Sequence, residues 1–460
     1  MKDYARTSFW LETSGDDLAP RPGLAGSITA DVAILGAGYS GLWTAYYLLR
    51  REPGLKVVVV ERGIAGFGAS GRNGAWCTSE FPSSPHTLAK KYGRETARAT
   101  VHAMRETVTE VGRVAKDEGL DIDWAHDGCL VIARGPHQRP AIDDEYASLK
   151  ELDLHHGVRL LDAEAATAKL NVTGLTGALF QPTTATLHPG RLVRGLARVV
   201  ERMGGTIYEQ TPVVDVQTGA RPALVTSRGT VFAETVVLCG EAYLSQLKAT
   251  ARQVLPVYSL ITLTEPLSEA DWAEIGWRER FCVASCRYQV DYLSRTADGR
   301  ILFGGRGAPC RFGSAIKDEM DRHPATHKML QDNVRAWFPR LKDVRFTHTW
   351  GGPLGWPRDF MPTVSLDRRR GLASARGFTG NGVSTTNLAG RILADLIGER
   401  RTPITELPLV NHRSPNWEPE PFRYLGVRLV QREYARLDVK AEQTGIAPTG
   451  RSLAERLTAH

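Results

Sequence analysis

The chain has 460 residues, 42% of them hydrophobic and 24% charged, and its 58 Lys and Arg exceed its 51 Asp and Glu by a formal +7. That is the composition of a globular protein with room for two cored domains, and an excess so small and dispersed argues against nucleic acid as a partner. No run reaches the roughly 18 apolar residues of a membrane span, Met1–Ala30 lacks an apolar signal core, and six scattered cysteines (Cys77, Cys129, Cys239, Cys282, Cys286, Cys310) show neither zinc spacing nor a disulfide framework; the expectation is a cytoplasmic protein without a metal site.

In chain order, Phe9-Trp10-Leu11 predicts an N-terminal arm packed on the body. Asp31–Leu35 then reads as a strand running into Gly36-Ala37-Gly38-Tyr39-Ser40-Gly41, and the stripe through Trp43, Tyr46 and Tyr47 reads as the helix that follows. In a dinucleotide-binding turn Gly36 makes the tight bend, Gly38 admits a pyrophosphate against the backbone, and Gly41 lets helix and strand pack closely. The helix start at Tyr39 and Ser40 offers N–H groups and a positive dipole end to phosphate. A second apolar run, Val57–Val60, ends on Glu61-Arg62, and Glu61 stands about 20 residues past Gly41, where an acid accepts a ribose hydroxyl. A chance surface glutamate is the competing reading, and the spacing makes it the weaker one.

Gly66–Ala75 follows, a glycine-rich loop carrying Ser70, Arg72, Asn73, Gly74 and Ala75 at the ribose end of the strand; small residues there let backbone run beside an extended ligand. Glycines alone would suit a surface loop, and Arg72-Asn73-Gly74 tips the balance. A helix is predicted over about 85–119, a strand over 128–133 and a charged helix over about 140–157. His188 precedes Pro189 at a helix start and reads as structural. Strands are predicted at Thr206–Tyr208 and around Val213, and an apolar strand, Glu234–Cys239, ends on Gly240 as a central parallel strand reaching a ligand would. Tyr258–Leu263, Asp291–Ser294 and Arg300–Gly304 read as an antiparallel sheet closed by a helix from about Pro324 to Phe338. Finally, Trp350-Gly351-Gly352 precedes a second glycine turn, Gly377–Val383, which opens a helix.

Four separated segments together resemble the glycine/sarcosine oxidase branch of the D-amino-acid oxidase superfamily, and within it the γ-glutamylputrescine oxidase-like FAD-dependent enzymes: Phe9-Trp10 with Gly36–Gly41, Gly66–Gly74, Leu187–Leu192 with Val213, and Trp350–Gly390. The resemblance implies an α/β fold (α+β overall) with a discontinuous Rossmann-like FAD-binding domain at 1–84, 160–248 and 345–411. An antiparallel-sheet substrate domain is inserted at 85–159 and 249–344, and 412–460 forms a C-terminal helical extension. It further implies that Gly36, Gly38 and Gly41 hold pyrophosphate, that Glu61 holds ribose, and that Ser70–Ala75 lies along the pyrophosphate and flavin. Val213 would meet adenine, Gly240 and Phe378 would be among the cofactor-binding residues, and Gly380, Asn381, Gly382 and Val383 would lie near the flavin. An ordinary NAD dehydrogenase would account for Gly36–Glu61 but not for Arg72-Asn73-Gly74 or Gly380-Asn381-Gly382.

Two departures shape the expected chemistry. The last cysteine, Cys310, stands well before Gly377, so the cysteine attachment of flavin known in some sarcosine oxidases is not expected and FAD is taken as noncovalent. Leu354 occupies the place where glycine oxidase-like enzymes carry a carboxylate-binding arginine, and Arg358 is out of register; this favours an amine whose acidic group, if any, is held elsewhere. The implied reaction is hydride transfer from the carbon beside a neutral amine, with O2 as electron acceptor and H2O2 as product. Tyr292 and Trp350 are the first candidates for the substrate pocket, Tyr258 and Arg306 the second, each against a core-packing alternative. A dehydrogenase passing electrons to a quinone or protein, and a flavin-binding subunit without turnover, remain as other readings. The amphipathic segment from Tyr424 through Val430 to Leu437 is expected to make an oligomer or peripheral contact, or to dock on the body.

Overall fold

The computed structural model describes residues 3–458. Its first sheet is centred on strand Ile28–Leu35, flanked in parallel by Val57–Val60 and then Thr206–Tyr208 on one side, and by Gly229–Leu238 and then Leu372–Arg376 on the other. Val57–Val60 is buried at all four positions, the pattern of a strand covered on both faces. Thr363–Asp367 adds an antiparallel edge, and Ala223–Thr226 and Val213–Gln217 extend the sheet beside the start of Gly229–Leu238. Leu35 stands level with Val60 on one side and Leu238 on the other, so three strands end together. The chain leaves the central strand in opposite directions at that edge, which opens a crevice beyond the strand ends.

Helices Tyr39–Arg51 and Gly382–Ile397 pack against each other, and their starts both line that crevice. Gly390 makes the approach: a Cβ there would lie 2.8 Å from Trp43. Helix Pro189–Arg202 packs alongside, with the Tyr39 hydroxyl donating to the Pro189 carbonyl at 2.9 Å, and His188 caps it by accepting from the Arg191 N–H.

The second sheet runs in the order Phe346–Trp356, Leu255–Thr264, Ile301–Gly305, Asp291–Arg295, Cys282–Ser285, Cys129–Arg134, Leu175–Gln181, Arg159–Leu161. It is antiparallel apart from the parallel pair Cys282–Ser285 and Cys129–Arg134. One face buries Trp277, Phe281 and Phe303 in a cluster with helix Pro324–Trp337, whose Trp337 ring meets Phe303 edge-on at 5.2 Å.

The strand memberships depart from the expected segmentation. Leu160 and Leu161 of strand Arg159–Leu161, with Leu175–Gln181 and Phe346–Trp356, fall in stretches expected in the dinucleotide domain, yet all three strands belong to the second sheet. Phe346–Trp356 pairs along its length with Leu255–Thr264, from Thr264↔Phe346 to Leu255↔Trp356. That pairing carries its far end, Leu354 and Gly355, back to the crevice. The single helix expected over 85–119 is two, Pro85–Tyr92 and Arg94–Asp117, broken at Gly93 with φ +88.

Past residue 411 the chain crosses the second sheet and forms helix Phe422–Thr444, followed by Leu453–Thr458. The long helix is docked: Tyr434 stacks on Tyr288 at 4.6 Å, and Asp438 accepts from the Tyr288 and Gln289 N–H groups at 3.0 and 2.8 Å. Among the described residues no helix is long and apolar enough to cross a membrane.

A Cβ at Gly41 would lie 1.9 Å from the Gly36 carbonyl oxygen, whereas one at Gly26 would meet nothing within 4 Å. Gly41→Ala is expected to cost about 1–3 kcal/mol by overpacking, and Gly26→Ala less than about 0.5 kcal/mol. Denaturant unfolding of the two variants measures the contrast, and equal stability would contradict the packing described.

Candidate active site

The crevice encloses a cavity of about 590 Å³. Its lining runs from Glu61, Arg62 and Thr211–Val214, past Gly36, Gly38 and Ser40, to Pro353, Leu354, Phe378 and Gly380. Gly36 takes φ +101, and a Cβ there would lie 2.7 Å from the Cys239 carbonyl oxygen. Ser70 closes over the turn by accepting from the Tyr39 N–H at 2.8 Å, and a Cβ on Gly38 would come within 2.9 Å of the same hydroxyl. Gly38, at the N-cap of helix Tyr39–Arg51, has no side chain to cap it, so beyond the Tyr39 N–H held by Ser70 the first N–H groups and the positive dipole end lie beside the cavity.

Glu61 does more than face the cavity. Its carboxylate accepts from the Ala37 N–H at 2.9 Å and the Gly63 N–H at 2.7 Å, stapling the glycine turn to the end of the second strand. Burial pushes the carboxyl up, while these two donors pull it back. A carboxylate has about four acceptor positions, so two remain for a hydroxyl donor in the cavity.

At the other end, helix Gly382–Ile397 begins without a side-chain cap, and Gly380, Gly382, Val383 and Thr386 line the cavity. A residue the sequence reading passed over organises this end. Glu241 accepts from the Gly377 N–H at 2.8 Å, the Gly355 N–H at 3.1 Å and the Phe378 N–H at 3.2 Å. It therefore binds together the ends of three segments far apart in sequence. Burial pushes its carboxyl up to about 7 against the pull of those donors and of Arg376. The signal was present: a charged residue directly after a buried strand and a glycine, Cys239-Gly240-Glu241, is out of place unless backbone donors await it.

Of the expected cofactor residues, Gly36, Gly38, Tyr39, Ser40, Glu61, Arg62, Ser70, Asn73, Val213, Gly240, Phe378, Gly380, Gly382 and Val383 line the cavity. Five do not. Gly41 packs on Gly36. Arg72 is turned away as a strut: it donates to the Phe67 carbonyl at 2.7 Å, pairs with Asp321, and reaches the Gly351 carbonyl at 3.3 Å. Gly74 admits the Tyr292 ring, which a Cβ would strike at 2.4 Å. Ala75 packs with Phe9, Trp10 and Trp350, and the Asn381 carbonyl accepts from Thr385 within its own helix.

The substrate candidates also separate. Trp350 is 1% exposed, donates through Nε1 to the Arg72 carbonyl at 2.9 Å and lines no cavity described here, so it supports the loop from behind. Tyr292 is packed between Gly74 and Gly304, its hydroxyl 2.9 Å from the Ser259 hydroxyl, and burial pushes it up to about 12. Tyr258 and Arg306 line a second cavity, also of about 590 Å³. Arg306 lies 4.5 Å over the Trp356 ring and donates to the Thr379 carbonyl at 3.5 Å. Among the described residues no carboxylate pairs with it, and burial pushes its guanidinium down to about 10. A Cβ on Gly380 would lie 3.7 Å from both Arg306 and Leu354. The wall between the two cavities is thus a glycine and an unneutralised arginine.

The family model for FAD-dependent oxidoreductases of the DAO type matches residues 31–396. The chain belongs to this family. It is 31% identical to γ-glutamylputrescine oxidoreductase of Escherichia coli K12 over 87% of this chain and 92% of that protein. It is 24% identical to sarcosine oxidase subunit beta of Rhodobacter capsulatus over 81% and 86%. Its fold matches the crystal structure of glycine oxidase from Geobacillus kaustophilus with a TM-score of 0.68 at 22% identity, covering 84% of this chain and 99% of that one. FAD is therefore the cofactor of this FAD-dependent oxidoreductase, and the bare glycine cradle with two helix starts facing the cavity fits its pyrophosphate and ring.

Glu241 supplies a test. The folded chain holds its proton up to about 7, whereas an unfolded glutamate releases it near about 4.3. The stability contributed by this proton is complete below the unfolded value and is lost as pH rises toward the folded one. Glu241→Gln keeps a neutral group but leaves one N–H without an acceptor, costing about 1–3 kcal/mol. Thermal unfolding of the flavin-free proteins from about pH 5 to about pH 8 should show the variant less stable at the acid end and the gap narrowing as pH rises. A gap that widens would contradict this account.

Proposed function

We propose that this FAD-dependent oxidoreductase oxidises a primary or secondary amine, and that O2 takes the electrons. The observation that carries the reading is the shared wall: Arg306, which lines the second cavity, stands against Gly380 and Leu354 at the end of the first cavity where the flavin ring would lie. The names of the relatives, which include a γ-glutamylputrescine oxidoreductase and a sarcosine oxidase subunit, support amine chemistry.

FAD, when bound, supplies the two-electron acceptor. The amine gives up a hydride from carbon and a proton from nitrogen and becomes an imine; water adds across the C=N bond to give an aldehyde or ketone and the freed amine or ammonia. O2 takes the two electrons and two protons and leaves as H2O2.

The chain's own part is electrostatic. Only the neutral amine has a nitrogen lone pair to assist hydride loss, and two features of the second cavity favour the neutral form. Aromatic walls desolvate the ammonium, and Arg306, a cation without a counter-charge, repels it. The dipole of helix Gly382–Ile397, with Arg306 beside it, stabilises negative charge arriving at the ring end of the cavity. Tyr292, held by Ser259 and Gly304, fixes the floor beneath Arg306.

A second reading has one observation in its favour. Phe422, Leu425 and Leu429 are 69%, 58% and 45% exposed along one helix face, a surface suited to a protein or membrane-bound electron acceptor. Peroxide yield separates the readings: one H2O2 per amine supports the oxidase, whereas rapid dye reduction with little peroxide supports the dehydrogenase. No flavin bleaching by any amine, together with copurification of another polypeptide, would mark a subunit without turnover.

The purified protein should absorb near about 450 nm, as flavoproteins do, and bleach anaerobically with substrate. FAD should be noncovalent, because Cys239, the cysteine that lines the cofactor cavity, is buried beside Thr44 and its thiol is pushed up to about 12. Acid precipitation should leave a colourless pellet, and a yellow one would refute this. Tyr292→Phe loses one hydrogen bond, about 1 kcal/mol, and should slow anaerobic flavin reduction roughly fivefold with FAD retained; an unchanged rate would remove Tyr292 from the site.

A further inference from the structure

The second cavity is roofed by a part of the chain that lies outside the family match, which ends at residue 396. Helix Phe422–Thr444 and the strap around Trp417 close it from above. The roof is fastened at both ends: Trp417 donates through Nε1 to the Trp356 carbonyl at 2.7 Å, and Tyr434 stacks on Tyr288.

Charge inside the chamber is unbalanced. Arg358 pairs with Glu418 at 3.1 Å, and Arg423 with Glu420 at 2.8 Å, so the acids on the strap are already neutralised. Arg428, half-buried in the roof, donates to the Gln431 side-chain oxygen at 3.2 Å, and among the described residues no carboxylate pairs with it. Besides this roof cation and Arg306 the lining includes Val257, Tyr258, Trp356 and Phe360, which present mainly apolar and ring surface. A guanidinium that lines a partly aromatic chamber without a carboxylate partner offers its planar fork to a planar carboxylate.

We propose that this chamber takes an amine bearing a remote carboxylate: the carboxylate meets Arg428 under the roof, a hydrocarbon linker fills the aromatic middle, and the amine reaches the wall at Arg306 and Gly380. The inference rests on the amine-oxidation reading above. Arg428 is a specificity-determining residue supplied by the C-terminal helix, and it accounts for Leu354: the chain selects for an acid through the roof rather than beside the ring.

The test uses the FAD-loaded, full-length enzyme with matched probes, 6-aminohexanoate against hexylamine, and follows anaerobic flavin reduction. The concentration giving half-maximal reduction rate should be at least about tenfold lower for the amino acid, the size of one charge-assisted contact. Arg428→Gln should erase that preference, and Arg428→Lys, which keeps the charge, should retain part of it. Calorimetric titration with hexanoate gives a readout without turnover: binding to wild type should weaken about tenfold in Arg428→Gln. Equal use of both amines by wild type, or hexanoate binding that Arg428→Gln leaves unchanged, would overturn the proposal while leaving amine oxidation standing. Hexanoate binding that depends on Arg428, with no flavin reduction by either amine, would uphold the carboxylate site and overturn the amine-oxidation reading.

Discussion

Three backbone stretches meet at the Gly36 turn with no room for a side chain between them. The Gly36 N–H donates to the Val60 carbonyl at 2.8 Å, a Cβ on Gly36 would sit 2.7 Å from the Cys239 carbonyl, and one on Gly41 would sit 1.9 Å from the Gly36 carbonyl. Strand ends brought this close leave a crevice at their common edge, and the helix that leaves the turn has its start on that crevice. The site at the other end of the crevice inherits its position from this contact, because Cys239 leads directly to Gly240 and Glu241, and Glu241 then fixes Gly355, Gly377 and Phe378.

Buried charge is used in two opposite ways around the cofactor. Arg72 and Glu241 are fully engaged, one by a carboxylate and carbonyls, the other by three backbone donors, and they hold loops in place. Engaged charge of this kind stiffens a fold and leaves nothing for a ligand. Arg306 has only a 3.5 Å contact to a backbone carbonyl and the face of a tryptophan. Its incomplete satisfaction is the reason it is proposed as a functional group, since a buried cation without a counter-charge costs stability that packing elsewhere must offset.

The C-terminal helix changes the meaning of the second sheet. Without it, Tyr258, Trp356 and Arg306 would form an open, partly aromatic surface; with it they become the floor and wall of a chamber. The roof is tied at its far end by Asp438 on two backbone N–H groups and the Tyr288–Tyr434 stack, and at its near end by the Trp417 indole on the Trp356 carbonyl. The near end, around Phe422 and Leu425, presents apolar side chains to solvent.

Short-range order was legible in the residues alone. A strand, three glycines at fixed spacing, a helix and an acid after the next strand specify a dinucleotide turn because each requirement is local, and most of the residues expected from that pattern do line the cavity. Sequence also marked Leu354 as a departure and Tyr258 and Arg306 as candidates. It did not decide which strands share a sheet, because Phe346–Trp356 pairs with a strand some ninety residues earlier, and strand patterns look alike whichever sheet they join. Nor did it separate binding residues from struts. Arg72 reads as a phosphate ligand until Asp321, 249 residues away, is seen to hold it, and Trp350 reads as a pocket wall until its indole is found bonded behind the loop. The partners of a buried polar group are set by long-range packing, so the tertiary structure alone decided that Glu241 is a clamp and that Arg306 is left unneutralised at the wall between two cavities.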